Sequence, residues 1–243
     1  MKFQVSHGFI QGETHTVCED YATSMEVMGT DLSVPFNPLV IVSDGCSAVE
    51  NSDVGARIAA LTTKRILARM IAGEYVPEPE ELAGEILTKM SGAAQELGVP
   101  LSCCAATVLA AFVLNGTGHV YCFGDGVWWK TIKGVQHYTV VDSTAEMPPY
   151  IIHGFRRTLN PLRARSVPGT DVETMEGQFY WSFPIEDIEE IGIATDGVTA
   201  VSHRDTAEVL NELTGERVPA RLNYFDRHGT YDDIGLAVIR IEN

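Results

Sequence analysis

The sequence predicts an α+β fold, and three observations carry that prediction. Segments rich in branched and aromatic residues open and close the chain, and two helix-period patterns lie between them. No repeat, low-complexity tract or linker interrupts the 243 residues, so residues 1–243 read as one domain. A chain of this length buries roughly 70% or more of its extended surface and can build a core without covalent staples.

Residues 2–10 and 38–43 have the composition of strands, and 20–28 reads as a third between them. Ser52 is placed as an N-cap, with Asp53 in the first turn and Val54, Ile58 and Leu61 at i, i+4 and i+7, which predicts a helix over about 53–72. Asp53 so placed reads as a helix-start residue before a catalytic one. Leu82, Ile86, Met90, Ala93 and Leu97 share one face and predict a second helix from Glu80 to Leu97, after a break at Gly73 to Pro77. The nearly all-apolar run Cys103–Leu114 has twelve residues, short of the ~20 that a membrane-spanning helix needs, and reads as a buried strand. Asn115, Gly116 and Thr117 turn it into 118–123, a hairpin, and Trp128 and Trp129 continue apolar strand character as packing residues. Between about 142 and 178 the chain is rich in Pro, Arg, Gly and acids with little periodicity, an irregular length more often functional than inert. Strand signals return at 179–183 and 189–195, a helix is expected over 205–213, and 232–241 closes the chain as a strand.

Lys and Arg number 17 against 33 Asp and Glu, a formal net charge of −16. Such a surface repels phosphate backbones and anionic headgroups, so nucleic-acid and membrane partners are not expected. The N-terminal residues hold no long apolar run or cleavage pattern, which makes the cytoplasm the expected location. Five cysteines without a CxxC pair argue against disulfides and a zinc site and read as reduced, mostly buried thiols. No GxxxxGK[ST], HExxH or GxSxG motif is present, and no Cys is followed by Arg six positions on, so the common P-loop, zinc, serine and cysteine chemistries drop out.

Acids recur at strand ends. Asp44 follows Leu39 to Ser43 and precedes Gly45; Asp196 follows Ile191 to Thr195 and precedes Gly197; Asp125 precedes Gly126; Asp232 and Asp233 open the last strand. A bare carboxylate at the end of an apolar strand is costly unless compensated, and a divalent cation compensates it well. A glycine after such a ligand lets the backbone turn and offer its carbonyl as well. Carboxylates converging without His or Cys select hard ions such as Mg²⁺ or Mn²⁺, and two such ions ~3.5–4 Å apart activate water for phosphoester hydrolysis. Taken singly, each Asp-Gly is also an ordinary turn.

Order and context decide between these readings. Gly12-Glu-Thr-His-Thr-Val-Cys-Glu-Asp20-Tyr-Ala, Val42-Ser-Asp44-Gly45, Ala105-Ala-Thr-Val-Leu, Phe123-Gly-Asp125-Gly, Ala194-Thr-Asp196-Gly197-Val and Tyr231-Asp232-Asp233-Ile follow one another along nearly the whole chain. In these stretches the chain resembles the metal-dependent Ser/Thr protein phosphatases of type 2C, the PPM family. The resemblance implies a four-layer αββα sandwich, two central mainly antiparallel sheets flanked by helices, with metals in a cleft at one end. It implies two Mg²⁺ or Mn²⁺ ions, with Asp44 bridging both and Asp196 and Asp232 completing one site. The Gly45 carbonyl and the Glu19/Asp20 pair would serve the other, directly or through water, and Asp125 would hold a third, weaker ion. Hydrolysis of phosphoserine or phosphothreonine by a metal-activated water is the implied reaction. A phosphorylated protein is the implied substrate, and a kinase is a further candidate partner, in bacterial signalling.

Three departures from the family pattern bear on that reading. The phosphate-gripping Arg falls at His15, which can donate a hydrogen bond and carry charge but lacks the bidentate fork; a bacterial subgroup with Gly-x-x-His looks closer, and a His merely packed beside a strand is the alternative. The family's proton-donating His falls at Cys46, a poor general acid, where lost acid catalysis can cost ~10²–10⁴-fold. Asp233 stands where Asn is usual and adds negative charge near the ions. Arg156 and Arg157, with His153, Arg163 and Arg165, fall where the resemblance puts a flap beside the site; they are candidates for receiving a phosphopeptide or for a solvated loop. His15 and Cys46 keep open a catalytically weak or inactive regulatory relative, and a phosphatase of a small phosphorylated molecule is a third reading.

Overall fold

The computed structural model describes residues 1–28, 36–143, 150–153, 162–167, 180–200 and 216–242. Its strands are β1 (Lys2–Ile10), β2 (Asp20–Met28), β3 (Phe36–Asp44), β4 (Val108–Leu114), β5 (Thr117–Phe123), β6 (Gly126–Ile132), β7 (Val135–Ser143), β8 (Leu162–Val167), β9 (Tyr180–Pro184), β10 (Ile188–Ala194) and β11 (Ile234–Glu242). Its helices are α1 (Ser52–Ala72), α2 (Pro79–Leu97) and α3 (Val218–His228), with short 3₁₀ turns at Leu101–Cys104, Ile151–His153 and Asp196–Thr199.

The strands form two sheets, one ordered β1-β11-β10-β6-β7-β8 and the other β2-β3-β4-β5-β9. Every pairing among these strands is antiparallel. Apolar residues of both sheets, among them Leu39, Ile41, Leu109, Ile191, Ala237 and Ile239, share one buried cluster. The near-continuous burial of β3, β4 and β5 follows from cover on both faces, by the second sheet on one side and by α1 and α2 on the other. On the far side Val218 and Phe225 of α3 pack with Trp129, Leu236 and Val238 of the six-stranded sheet. The layers are therefore helix, sheet, sheet, helix, as expected.

Strands β1, β2 and β3 and helices α1 and α2 form close to their expected bounds. The run from Cys103 to Leu114 divides: Cys103 N donates to Pro100 O (3.1 Å) and Ala105 N to Ser102 O (3.0 Å), closing a turn before β4 begins at Val108. Apolar content marks burial there but does not separate a buried turn from a strand. Ser52 is not the N-cap; Asn51 occupies that place at φ 60°, and Ser52 is the first helical residue. Asp53 pairs with Arg57 at 3.1 Å within α1, in keeping with a structural role.

The stretch 142–178 is not irregular throughout, because β7 runs to Ser143, Ile151–His153 forms a turn, and β8 occupies Leu162–Val167 against β7. The alternation Leu162-Arg-Ala-Arg-Ser-Val167 is itself a period-two signal, obscured by its arginines. Arg163 and Arg165 thus stand in a ladder, with Asp142 and Val140 as their cross-strand partners. Arg156 and Arg157, and the helix expected over 205–213, lie outside the described residues. Helix α3 was not anticipated, and among the described residues no helix is long and apolar enough to cross a membrane.

Candidate metal and phosphate site

Antiparallel pairing brings strand ends distant in sequence to one end of the sandwich. The C-terminal end of β3 meets the start of β2, with Asp44 directly opposite Asp20. Asp125 lies in the Gly124–Gly126 crossing from β5, in one sheet, to β6, in the other. Val127 and Leu236 both stand opposite Ala194, so Asp125, Asp196 and Asp232, two to four residues beyond them, emerge at the same end. Asp44, Asp125, Asp196 and Asp232 are half-buried, while Asp20 is 2% exposed.

Burial raises the pKa of Asp20, Asp44, Asp125 and Asp196 above the ordinary carboxylate range. Their mutual repulsion adds to this: Asp44 feels Asp20, Asp196, Asp232 and Asp125, and Asp196 feels Asp125 and Asp232. Hydrogen bonds offset part of the cost. Thr195 Oγ1 donates to Asp20 Oδ2 (2.6 Å) and accepts from Gly235 N (2.8 Å), and Asp20 also shares a hydrogen bond with Asp44. Asp44 N donates to Thr107 Oγ1 (3.2 Å) while Thr107 N donates to Asp44 O (2.8 Å), which fixes the end of β3 against the start of β4.

The Gln11 to Glu19 segment closes one side. Asp233, 2% exposed, accepts from Gly12 N (2.7 Å) and His15 Nδ1 (2.9 Å) and also from Glu19 N. His15 Nε2 lies 3.6 Å from Asp232 Oδ1. Burial pulls the His15 pKa down, but its hydrogen bond to Asp233 and the charges of Asp233, Asp232 and Glu19 outweigh this and leave it raised. Glu19 Oε1 accepts from Ser52 Oγ at 2.6 Å, whereas Glu19 Oε2 is buried without a hydrogen-bond partner. Asp233 therefore does more than add charge, as its oxygens are taken by the loop.

The glycines after the acids serve neighbouring backbone. A Cβ on Gly197 would sit 1.8 Å from Asp233 O, and one on Gly45 would sit 2.6 Å from Ser52 O. On the remaining side Tyr150 is buried and its hydroxyl is hydrogen-bonded to the Cys46 side chain, within the field of Asp44 and Asp125. Sequence reasoning missed Thr107, Thr195 and Tyr150. For the two threonines the available signal was a hydroxyl lodged within an otherwise apolar strand end.

The structure thus brings together Asp20, Asp44, Gly45, Asp125, Asp196 and Asp232 with Glu19 and His15. Among the described residues no group of three or more His, Cys, Asp or Glu side chains is arranged to hold an ion, and Asp20 and Asp44 bond to each other. The chemistry of the donors nevertheless suits hard divalent cations: they are carboxylates, mutually repelling, and Glu19 brings a buried oxygen without a hydrogen-bond partner.

Solved structures share this architecture. A point mutant of a bacterial serine phosphatase is 13% identical at a TM-score of 0.65, with 100% of each chain covered. The serine/threonine phosphatase of S. agalactiae is 14% identical at 0.59, covering 99% of this chain and 100% of that one. The serine/threonine phosphatase Stp1 from Staphylococcus aureus is 14% identical at 0.61, covering 100% and 96%. No curated protein matches. At such identities these likenesses establish the fold alone, whereas a family model described as protein phosphatase 2C matches residues 13–225, which span the loop of His15, all the site's aspartates but Asp232 and Asp233, and most of helix α3. By that match the chain belongs to the protein phosphatase 2C family.

Proposed function

We propose that the protein is a metal-dependent phosphoprotein phosphatase that hydrolyses phosphoserine and phosphothreonine esters, with residues 1–243 acting as one catalytic domain. The observation that carries this reading is the gathering of Asp20, Asp44, Asp125, Asp196 and Asp232 at one end of the sandwich beside a histidine whose pKa is raised. Two Mg²⁺ or Mn²⁺ ions would be held by Asp44, Asp196, Asp232, Glu19, Asp20 and the Gly45 carbonyl. Asp125 would hold a third, weaker ion. Bound there, the ions supply Lewis acidity and lower the pKa of water.

The chain's own residues supply the rest. His15, its pKa raised against the pull of burial by the Asp233 hydrogen bond and the charges of Asp233, Asp232 and Glu19, would donate from Nε2 to a phosphate oxygen. Asp44, opposite Asp20, sets the negative field that draws cations into a chain whose net charge is already −16. Arg156 and Arg157 would receive the groups flanking the phosphate. The substrate would be a cytoplasmic phosphoprotein, loaded by a kinase partner.

A second reading, a catalytically weak regulatory module, is favoured by Cys46, whose side chain is engaged with Tyr150. Turnover of p-nitrophenyl phosphate with and without Mn²⁺, set beside an Asp44→Ala variant, separates the two. Metal-dependent turnover that vanishes in the variant supports the phosphatase, and its absence from the wild type sinks it. A phosphopeptide panel then separates protein from small-molecule substrates.

A further inference from the structure

We propose that Asp233 is the positioning residue for His15, holding the imidazole by Nδ1 so that Nε2 alone is presented to the phosphate. The proposal rests on the phosphatase reading for the identity of the ligand. The dipeptide Asp232-Asp233, just before β11, divides its work. The Asp232 side chain is 44% exposed, and that of Asp233 is 2% exposed.

Among the described residues, three donors hydrogen-bond the Asp233 carboxylate. Gly12 N reaches Oδ1, while Glu19 N and His15 Nδ1 both reach Oδ2. An ionised carboxylate is acceptor-only with about four lone-pair sites, so it satisfies all three. An Asn would turn an NH₂ toward one of these donors and leave it unpaired inside the protein. The two backbone donors alone occupy both oxygens, and the imidazole takes a further lone pair of Oδ2, so the acid serves the loop and the ring at once.

The same carboxylate ties the loop on both sides of His15, at Gly12 and at Glu19. The loop is also pressed onto the dipeptide, since a Cβ on Gly12 would sit 2.3 Å from the Asp232 carbonyl carbon. With Nδ1 committed inward, the ring nitrogen left beside Asp232 is Nε2. A single hydrogen-bond donor on a rotatable side chain loses affinity when its direction is not fixed beforehand. Fixing it compensates for part of what the bidentate Arg fork would otherwise provide.

The test is a double-mutant cycle over wild type, Asp233→Asn, His15→Ala and the double variant. KM and kcat for p-nitrophenyl phosphate, Kd for Mn²⁺ and Kd for orthophosphate in saturating Mn²⁺ are measured for each. Asp233→Asn is expected to raise KM and the orthophosphate Kd about tenfold, to change kcat less, and to leave the Mn²⁺ Kd within about threefold. In the His15→Ala background it should add almost nothing. Additive losses, or a Mn²⁺ Kd that rises in step with KM, overturn the proposal. If the wild type turns nothing over but orthophosphate binding shows the same coupling, the phosphatase reading fails and the positioning role stands. If the wild type binds no orthophosphate, the positioning role fails. Should Asp233→Asn not fold, nitrogen-detected NMR of the wild type decides: added orthophosphate should shift His15 Nε2 and not Nδ1, and the reverse pattern overturns the assignment.

Discussion

Asp20 and Asp44 stand directly opposite one another at the end of the β2–β3 ladder, and their carboxyls share a hydrogen bond. Like charges so placed are destabilising, and burial raises the pKa of both. A carboxyl whose folded pKa lies above its unfolded value binds its proton more tightly when folded. Its stabilising contribution is complete below the unfolded pKa near 3.8 and is lost as pH rises through the folded value. At neutral pH the metal-free protein must take up protons on folding that the unfolded chain has released, a destabilising term that Asp44→Asn relieves. We expect the variant to melt higher without metal, by a few degrees for about 1–2 kcal/mol. Its melting temperature should also change less between pH 4 and 8. Mn²⁺ should raise the wild-type melting temperature and leave the variant's unchanged. Calorimetry with and without Mn²⁺ checks this, and a variant that melts lower without metal contradicts it.

Thr195 joins the two sheets at the same place. Its hydroxyl serves Asp20 Oδ2 and Gly235 N at once, and the residue is fully buried. Thr195→Val keeps the shape but strands a buried N–H and removes a donor from Asp20, which should cost about 2–3 kcal/mol. Mn²⁺ affinity should fall as well, because Asp20 loses the bond that orients it, whereas Thr195→Ser should restore both. Urea unfolding and a Mn²⁺ titration by electron paramagnetic resonance provide the two readings.

What the sequence made legible follows a physical divide. Strands β1 to β3, helices α1 and α2 and the aspartates at strand ends were readable, because periodicity and short-range turn chemistry are local properties. The helix-sheet-sheet-helix layering came from the resemblance rather than from periodicity. Asp233, by contrast, was read as added charge. Its partners Gly12, His15 and Glu19 lie more than 200 residues away in sequence, and only the β1–β11 pairing brings them together. Ser52 was misread for the same reason, since its hydroxyl serves Glu19 from across the fold and not the start of its own helix. Helix α3 escaped notice because much of its surface is polar and its apolar contacts are few: Val218 and Phe225 are its buried apolar residues.

That helix is held by charge as well as by apolar contact. Arg221, 1% exposed, donates to both oxygens of Glu190 at 2.7 and 2.9 Å. Glu190 also accepts from Trp129 Nε1 at 2.9 Å and Arg240 Nε at 3.2 Å. Arg221→Met leaves the buried Glu190 with the more exposed Arg240 as its remaining cation among the described residues, so it should destabilise by up to about 3–5 kcal/mol. Arg240→Met, at a more exposed edge of the network, should cost less. Glu190→Gln added to Arg221→Met should recover part of the loss. Urea midpoints for the four proteins check the order, and equal losses for the two arginine variants would refute it.

His119 has the opposite pH sign to the carboxylate cluster. It lies in β5, shares a 2.7 Å hydrogen bond with the Tyr180 hydroxyl, and stacks on Phe112 with ring centroids 4.8 Å apart. Burial lowers its pKa from 6.5 to about 4. Between these values the unfolded chain takes up the proton and the folded chain does not, so stability rises with pH across that window. The contribution is complete above about pH 6.5 and is lost as pH falls toward 4, about 2 kcal/mol of it between pH 7 and 5 and at most about 3 in all. Acidification stabilises the metal-free carboxylate cluster over the same range, so the wild type alone would understate the effect. His119→Phe removes the titrating group while keeping the stack on Phe112. Urea unfolding of both proteins in saturating Mn²⁺ should show the wild type losing about 2 kcal/mol more than the variant from pH 7 to pH 5. Equal losses would mean that His119 titrates normally in the folded protein.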